Sequence, residues 1–187
     1  MDIAAMVDQY LESEYFEATS SIYRDLSLNF KKLLEEGQLD PNERFLNLLA
    51  IAVSLENHPM ANLAKVALKE LGAPDDQIRE AAETAGLMGM NNVYYKFRSY
   101  LSPEAKEHYT RAGLRMQSMM KPANGKQNFE MMSLAVSAVN GCPTCIASHE
   151  NAIRELGVAT EKIHDVARLA AVAKGLTSLK HAREFLA

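Results

Sequence analysis

Apolar side chains along this chain recur at the three- and four-residue spacing of a helix, and they nowhere alternate with period two for long enough to define a strand. Over residues 3–36 the stripe Ile22, Leu26, Phe30, Leu33 and Leu34 predicts one or two helices, stopping at Glu36-Gly37, where glycine can take the left-handed position that ends a helix. Asp40-Pro41-Asn42-Glu43 then supplies an N-cap, a proline for the first helical position and a glutamate for a capping box, opening a helix through Leu55. His58-Pro59 reads as a break, with a helix from about Met60 to Leu71-Gly72 beyond it. Pro74-Asp75-Asp76 opens the next helix, through Ala81, Ala82 and Ala85, and residues 86–98 continue as helix despite their glycines. Ser102-Pro103-Glu104 predicts a further helix containing Leu114, Met116 and Met119, and residues 121–126 form the clearest loop. A helix from about Asn128 to Asn140-Gly141 follows. Another runs from the cysteines to Leu156-Gly157, and a last one, capped by Thr160, passes Leu169 and Val172. The fold class is all-α.

Two stretches share one pattern. Setting Lys69-Glu70-Leu71-Gly72 on Arg154-Glu155-Leu156-Gly157 gives an offset of 85 residues (154 minus 69), and the same offset pairs Leu49-Ala50 with Leu134-Ala135 and Ile78 with Ile163. The repeat-like units are about 43–86 and 128–171. Opposite Glu130, Cys142, Cys145 and His149 stand Phe45, Asn57, Met60 and Ala64, so the reactive groups belong to the second unit alone.

Composition narrows the class. A chain of 187 residues, 48% apolar and 24% charged, suits one domain over 1–187 with its own core. A formal net charge of -4 makes no electrostatic case for nucleic acid or an anionic membrane as partner. Residues 1–8 are too acidic and too short in apolar run for a secretory signal, and no stretch approaches the ~18 apolar residues of a membrane span. A cytoplasmic protein is expected. In a reducing compartment, two cysteines confined to one C-x-x-C point to catalysis or metal binding before stapling.

That motif is Cys142-Pro143-Thr144-Cys145, with His149 one turn further on. Cys145 and His149, four apart, share a helix face. Imidazole and the helix N-terminus act together to lower a thiol pKa below its free value of about 8.5. If the helices flanking Asn140-Gly141 form an antiparallel hairpin, residues equidistant from the turn lie level. The midpoint of 130 and 149 falls almost on the turn, so Glu130 faces His149. A relay is expected in which Glu130 orients the imidazole and His149 takes the proton from Cys145.

Blander readings remain: two buried core thiols, or a structural zinc site built from Cys142, Cys145, His149 and Glu130. His58, His108, His164 and His181 have no matched acid or thiol and are assigned to helix surfaces or caps. Met116, Met119, Met120, Met131 and Met132 are assigned to core or subunit packing, as Tyr94, Tyr95 and Phe97 are to core, although Asn91-Asn92 beside them is unusual for a buried helix.

Glu130, Cys142-Pro143-Thr144-Cys145 and His149, with the stretch Met90-Asn91-Asn92-Val93-Tyr94-Tyr95-Lys96-Phe97-Arg98, resemble the alkyl hydroperoxidase D (AhpD) family of the carboxymuconolactone decarboxylase-like fold. The resemblance implies a cytoplasmic antioxidant enzyme that reduces organic hydroperoxides or passes electrons to an AhpC-like peroxiredoxin. Its electron donor would be the dihydrolipoyl group of a lipoylated acyltransferase subunit of a 2-oxoacid dehydrogenase, with no bound cofactor. It implies further that Cys145 attacks the peroxide and becomes a sulfenic acid, that Cys142 is the more exposed partner that closes the disulfide, and that the chain forms homotrimers or assemblies of trimers. Some members carry histidine where this chain has Thr144; a hydroxyl relays a proton but holds no charge, so direct peroxide turnover is expected to be weaker than disulfide exchange. A general disulfide reductase and a decarboxylase-type lyase, which needs no dithiol, are the other activities such a fold admits.

Overall fold

The computed structural model describes residues 2–15 and 19–186. Residues 1, 16–18 and 187, which the readings of 3–36 and of 1–187 include, lie outside the described residues. Among the described residues there are nine α-helices and no strand: α1 (Ile3–Glu14), α2 (Ser21–Glu35), α3 (Pro41–Ser54), α4 (His58–Glu70), α5 (Asp75–Ser99), α6 (Pro103–Lys106), α7 (Gly125–Val139), α8 (Pro143–Glu155) and α9 (Thr160–Leu186). No helix of these residues is long and apolar enough to cross a membrane.

The core lies around α3 and α7, which pack on each other and are buried on every side along their middle turns, from Phe45 to Ala52 and from Phe129 to Ser137. A helix apolar all round has to be enclosed by others. Here α4 and α5 close on α3 while α8 and α9 close on α7, with α5 also against α7 and α9 against α3. α1 lies on α4, and α2 on α9.

Local chemistry sets the helix ends. The side chain of Asp40 accepts from Glu43 N–H at 2.9 Å while the Glu43 carboxylate accepts from Asp40 N–H at 2.8 Å, a complete capping box with Pro41 in the first turn. Glu43 is more than a cap: Lys162 of α9 reaches the same carboxylate at 2.7 Å, tying the start of α3 to α9. The chain between α3 and α4 turns at Glu56, in the left-handed region at φ 55, and Asn57 caps α4 by accepting from Met60 N–H at 3.1 Å. The interruption expected at His58-Pro59 lies between α3 and α4, and the pair itself forms the first turn of α4, which starts slightly before Met60; proline is tolerated in a first turn, where its missing N–H would have had no partner. The last helix likewise begins on Thr160, with the carbonyl of Ala159 taking the first helical hydrogen bonds, so the cap position is Ala159.

Two other expectations change. Gly37 does not take the left-handed conformation; it is needed for space, since a Cβ there would lie 2.9 Å from both Asp165 Oδ2 and the carbonyl of Leu33. The predicted helix through Leu114, Met116 and Met119 does not form. After α6 there are only short 3-10 turns at Glu107–Tyr109 and Gln117–Met120, joined by an irregular strap. No residue from 101 to 120 is buried, so a helix here would bury no face against the core, and an isolated helix of that length is not self-sustaining. By contrast α5 runs unbroken through Gly86 and Gly89, held by its packing on α3, α7 and α8.

The 85-residue offset governs geometry as well as sequence. α4 and α8 span 58–70 and 143–155, α5 and α9 both start at its register, and two pairs of left-handed residues correspond, Glu56 with Gly141 and Gly72 with Gly157, while Gly113 and Gly125 have no such counterpart.

Candidate active site

The turn between α7 and α8 makes the site. Asn140 and Gly141 close α7 through bonds to Val136 and Ala138, Gly141 at φ 62 reverses the chain, and the N–H of Cys142 returns to the carbonyl of Ser137 at 3.1 Å. α8 is thereby laid antiparallel on α7. Cys142 then occupies the N-cap, and its sulfur accepts from Cys145 N–H at 3.4 Å. Its counterpart in the first half is Asn57, an ordinary capping residue doing the same to Met60. The first cysteine of the C-x-x-C thus occupies a capping position that the first half fills with asparagine. Cys142 and Cys145 are joined in a disulfide with their Cα atoms 5.3 Å apart.

The hairpin brings Glu130 to His149 across the two helices, the Nδ1–H of His149 donating to Glu130 Oε2 at 2.5 Å. Lys126, one turn before Glu130 on α7, donates to the other oxygen, Oε1, at 2.6 Å. Glu130 is only 3% exposed. Burial pushes its carboxyl up, but the hydrogen bonds from His149 and Lys126 outweigh burial and hold it below the usual glutamate range. An ionised carboxylate accepts only, so Nδ1 carries the proton of this bond and Nε2 is the ring nitrogen left for a second partner.

A cavity of about 330 Å³ opens on this group. α8 contributes Thr144, Cys145, Ser148 and His149 to its wall, α5 contributes Asn91 and Tyr95, and the strap covers it with Met116 and Met119. In the first half, Pro59 and Leu63, which correspond to Thr144 and Ser148, instead border a groove against Met6 and Tyr10 of α1. The helix that covers this face in one half is replaced by a methionine-bearing strap in the other. The first half also fills the Glu130 position with a wholly buried Phe45, a burial worth about 1.5–3 kcal/mol.

A polar cluster fixes the turn from outside. Asn92 donates to Ser137 Oγ at 2.9 Å and accepts from Asn140 at 2.9 Å, Ser54 donates to Asn140 Oδ1 at 3.3 Å, and Lys96 donates to the Asn140 carbonyl at 3.1 Å. The paired asparagines of α5 therefore divide, Asn92 anchoring the turn and Asn91 facing the cavity.

The structure thus gathers Glu130, His149 and the two cysteines in one place, and two features differ from expectation. Cys142 is the more deeply buried cysteine, at 0% exposure against 6% for Cys145, because the capping geometry turns it inward while Cys145 faces the cavity. Tyr94 and Tyr95 are half-buried and Phe97 is exposed; with Tyr109 they form an aromatic cluster of edge-on and tilted contacts outside the core, ring centroids 5.4–6.5 Å apart. Met131 and Met132 are core, whereas Met120 is exposed. His58, His108, His164 and His181 all lie on the surface. The proposed zinc set has its sulfurs bonded to each other and its carboxylate engaged by His149 and Lys126, and among the described residues no three or more His, Cys, Asp or Glu side chains gather as a metal site. Lys126 was missed although its four-residue spacing from Glu130 is a readable signal.

The model of the carboxymuconolactone decarboxylase family matches residues 103–187, the half that carries the strap and the cysteines. Over a longer span the chain is similar to three proteins named alkyl hydroperoxide reductase AhpD. The one from Anaeromyxobacter dehalogenans is 39% identical over 158 residues, covering 83% of each chain. That from Mycolicibacterium paratuberculosis is 36% identical over 172 residues, 91% of this chain and 94% of the relative. That from Rhodococcus erythropolis is 35% identical over 164 residues, 87% and 89%.

Proposed function

Because the chain belongs to the AhpD family of alkyl hydroperoxide reductases, we propose that it cycles the Cys142–Cys145 pair between dithiol and disulfide, reducing organic hydroperoxides with electrons from a dihydrolipoyl group. The observation that carries this reading is the 2.5 Å bond between Glu130 and His149 beside the cavity that Cys145 faces. In the reduced protein His149 Nε2 takes the proton of Cys145. The thiolate attacks the terminal oxygen of the hydroperoxide, the O–O bond breaks, and the departing alkoxide takes the proton from His149 and leaves as an alcohol. Cys145, now a sulfenic acid, is met by the Cys142 sulfur three residues away, and water leaves as the disulfide forms. Reduction reverses the path. One thiolate of the dihydrolipoyl group attacks the Cys145 sulfur, which faces the cavity, Cys142 departs as a thiol, and the second lipoyl thiol closes its own disulfide and frees Cys145. The dithiol can equally pass its electron pair to the disulfide of an AhpC-like peroxiredoxin.

Thr144, exposed at the cavity rim where some members have histidine, offers no charge there, so disulfide exchange is expected to outpace direct peroxide turnover. The large apolar side chains left exposed at Val93, Phe97, Tyr100, Tyr109 and Met120 are consistent with a subunit contact and carry no stoichiometry of their own. A lyase reading leaves the paired cysteines without a task. Cys142→Ser and Cys145→Ser are each expected to abolish turnover of cumene hydroperoxide with reduced lipoamide as donor, and an unchanged rate in either variant overturns the assignment.

A further inference from the structure

We propose that the carboxamide of Asn91 is the polar anchor of the cavity, accepting the O–H of the hydroperoxide and holding its terminal oxygen against Cys145; this rests on the peroxidase reading above. Asn91 is 5% exposed, lines the cavity with Cys145 and His149, and its Oδ1 has no hydrogen-bond partner. An acceptor buried without a partner costs about 1–3 kcal/mol, so packing alone does not explain its presence.

The other half of the molecule makes the same point. At the 85-residue offset Asn91 corresponds to Leu176 of α9, an apolar side chain with 0% exposure. The fold fills this position with leucine where no chemistry is needed. Nor does Asn91 serve the turn, since that task is discharged by Asn92 through Ser137 and Asn140. What distinguishes the asparagine from leucine is a buried carboxamide oxygen without a hydrogen-bond partner, on a residue that lines the cavity with Cys145.

A hydroperoxide carries one O–H, on the oxygen that the thiolate attacks. Oδ1 is itself occluded, but the torsion that swings a carboxamide is soft and roughly two-fold, so turning about it presents Oδ1 to that proton from the α5 side while Cys145 approaches from α8. The O–H stays bonded through the attack: sulfur gains the hydroxyl oxygen, the O–O bond breaks, and the alkoxide takes its proton from His149. Met116 and Met119 receive the organic part. The dithiol of a lipoyl group has only weak S–H donors to offer Asn91, so the residue acts on the oxidative half-reaction and not the reductive one.

The two half-reactions are separable. In Asn91→Leu the rate constant for oxidation of the pre-reduced protein by cumene hydroperoxide, read as thiols lost in quenched samples, should fall about tenfold, equivalent to about 1.4 kcal/mol. Reduction of the disulfide by reduced lipoamide should stay within about twofold, and Tm should hold or rise as an unpaired polar atom is removed. Asn91→Ala, which cannot overfill the cavity, should split the half-reactions the same way. Equal losses in both half-reactions, or an unchanged oxidation rate, would overturn the anchor while leaving the peroxidase reading intact. Failure of the wild-type dithiol to react with cumene hydroperoxide would overturn both.

Discussion

Replacing Glu130 with glutamine keeps the shape of the side chain and removes its charge. The carboxylate is buried and receives two charge-assisted hydrogen bonds, from His149 at 2.5 Å and Lys126 at 2.6 Å. Glutamine has one acceptor oxygen, so it keeps one of the two partners and turns an N–H₂ toward the other. Hydrogen bonds to a charged group contribute about 1.5–3 kcal/mol. The state that suffers is the one in which His149 is an imidazolium beside a Cys145 thiolate, because Glu130 stabilises that charge and does nothing comparable for neutral imidazole and thiol. A loss of about 2 kcal/mol from that state alone moves the thiol titration up by about 1.5 pH units and slows attack on peroxide about 30-fold at neutral pH. The pH dependence of iodoacetamide alkylation of the reduced protein reads the titration, and quenched thiol counting with cumene hydroperoxide reads the rate. If Glu130→Gln titrates as the wild type does, the imidazole does not depend on this carboxylate and the relay is wrong.

Lys126 is half-exposed, so water screens its charge and Lys126→Met should slow the same step only about two- to fivefold, as expected for ~0.5–1 kcal/mol, with Lys126→Arg restoring it. Acid stability should carry the mark of Glu130. Its folded pKa lies below the ordinary value of about 4.3, so its contribution is fully present above that pH and is lost as pH falls through the lower folded value. Urea midpoints should therefore drop more steeply below pH 4.3 for the wild type than for Glu130→Gln, and parallel curves would refute it.

What could be read from residues alone follows from how local each cause is. The capping box of Asp40 and Glu43 and the hairpin symmetry about Asn140-Gly141 are set by neighbours in sequence, and the second points to Glu130 without any motif. The strap was not legible, because the spacing of Leu114, Met116 and Met119 says only that they are apolar, and whether a surface waits to bury them depends on α5 and α8. The direction of Cys142 was missed for a related reason. A C-x-x-C at a helix start fixes the two positions, whereas the inward turn of the first sulfur comes from its duty as N-cap, visible only beside Asn57. Gly37 answers to the space left by the Leu33 carbonyl and by Asp165, the second of them distant in sequence, and not to its own φ.

The central claim is that one electron pair enters and leaves through Cys142 and Cys145 together. Thiol counting on the reduced wild-type protein tests it directly, since the chain has only these 2 cysteines. Both thiols should be lost on adding one equivalent of cumene hydroperoxide, and both regained on adding reduced lipoamide. Thiols that survive the peroxide, or that lipoamide fails to restore, would contradict the account.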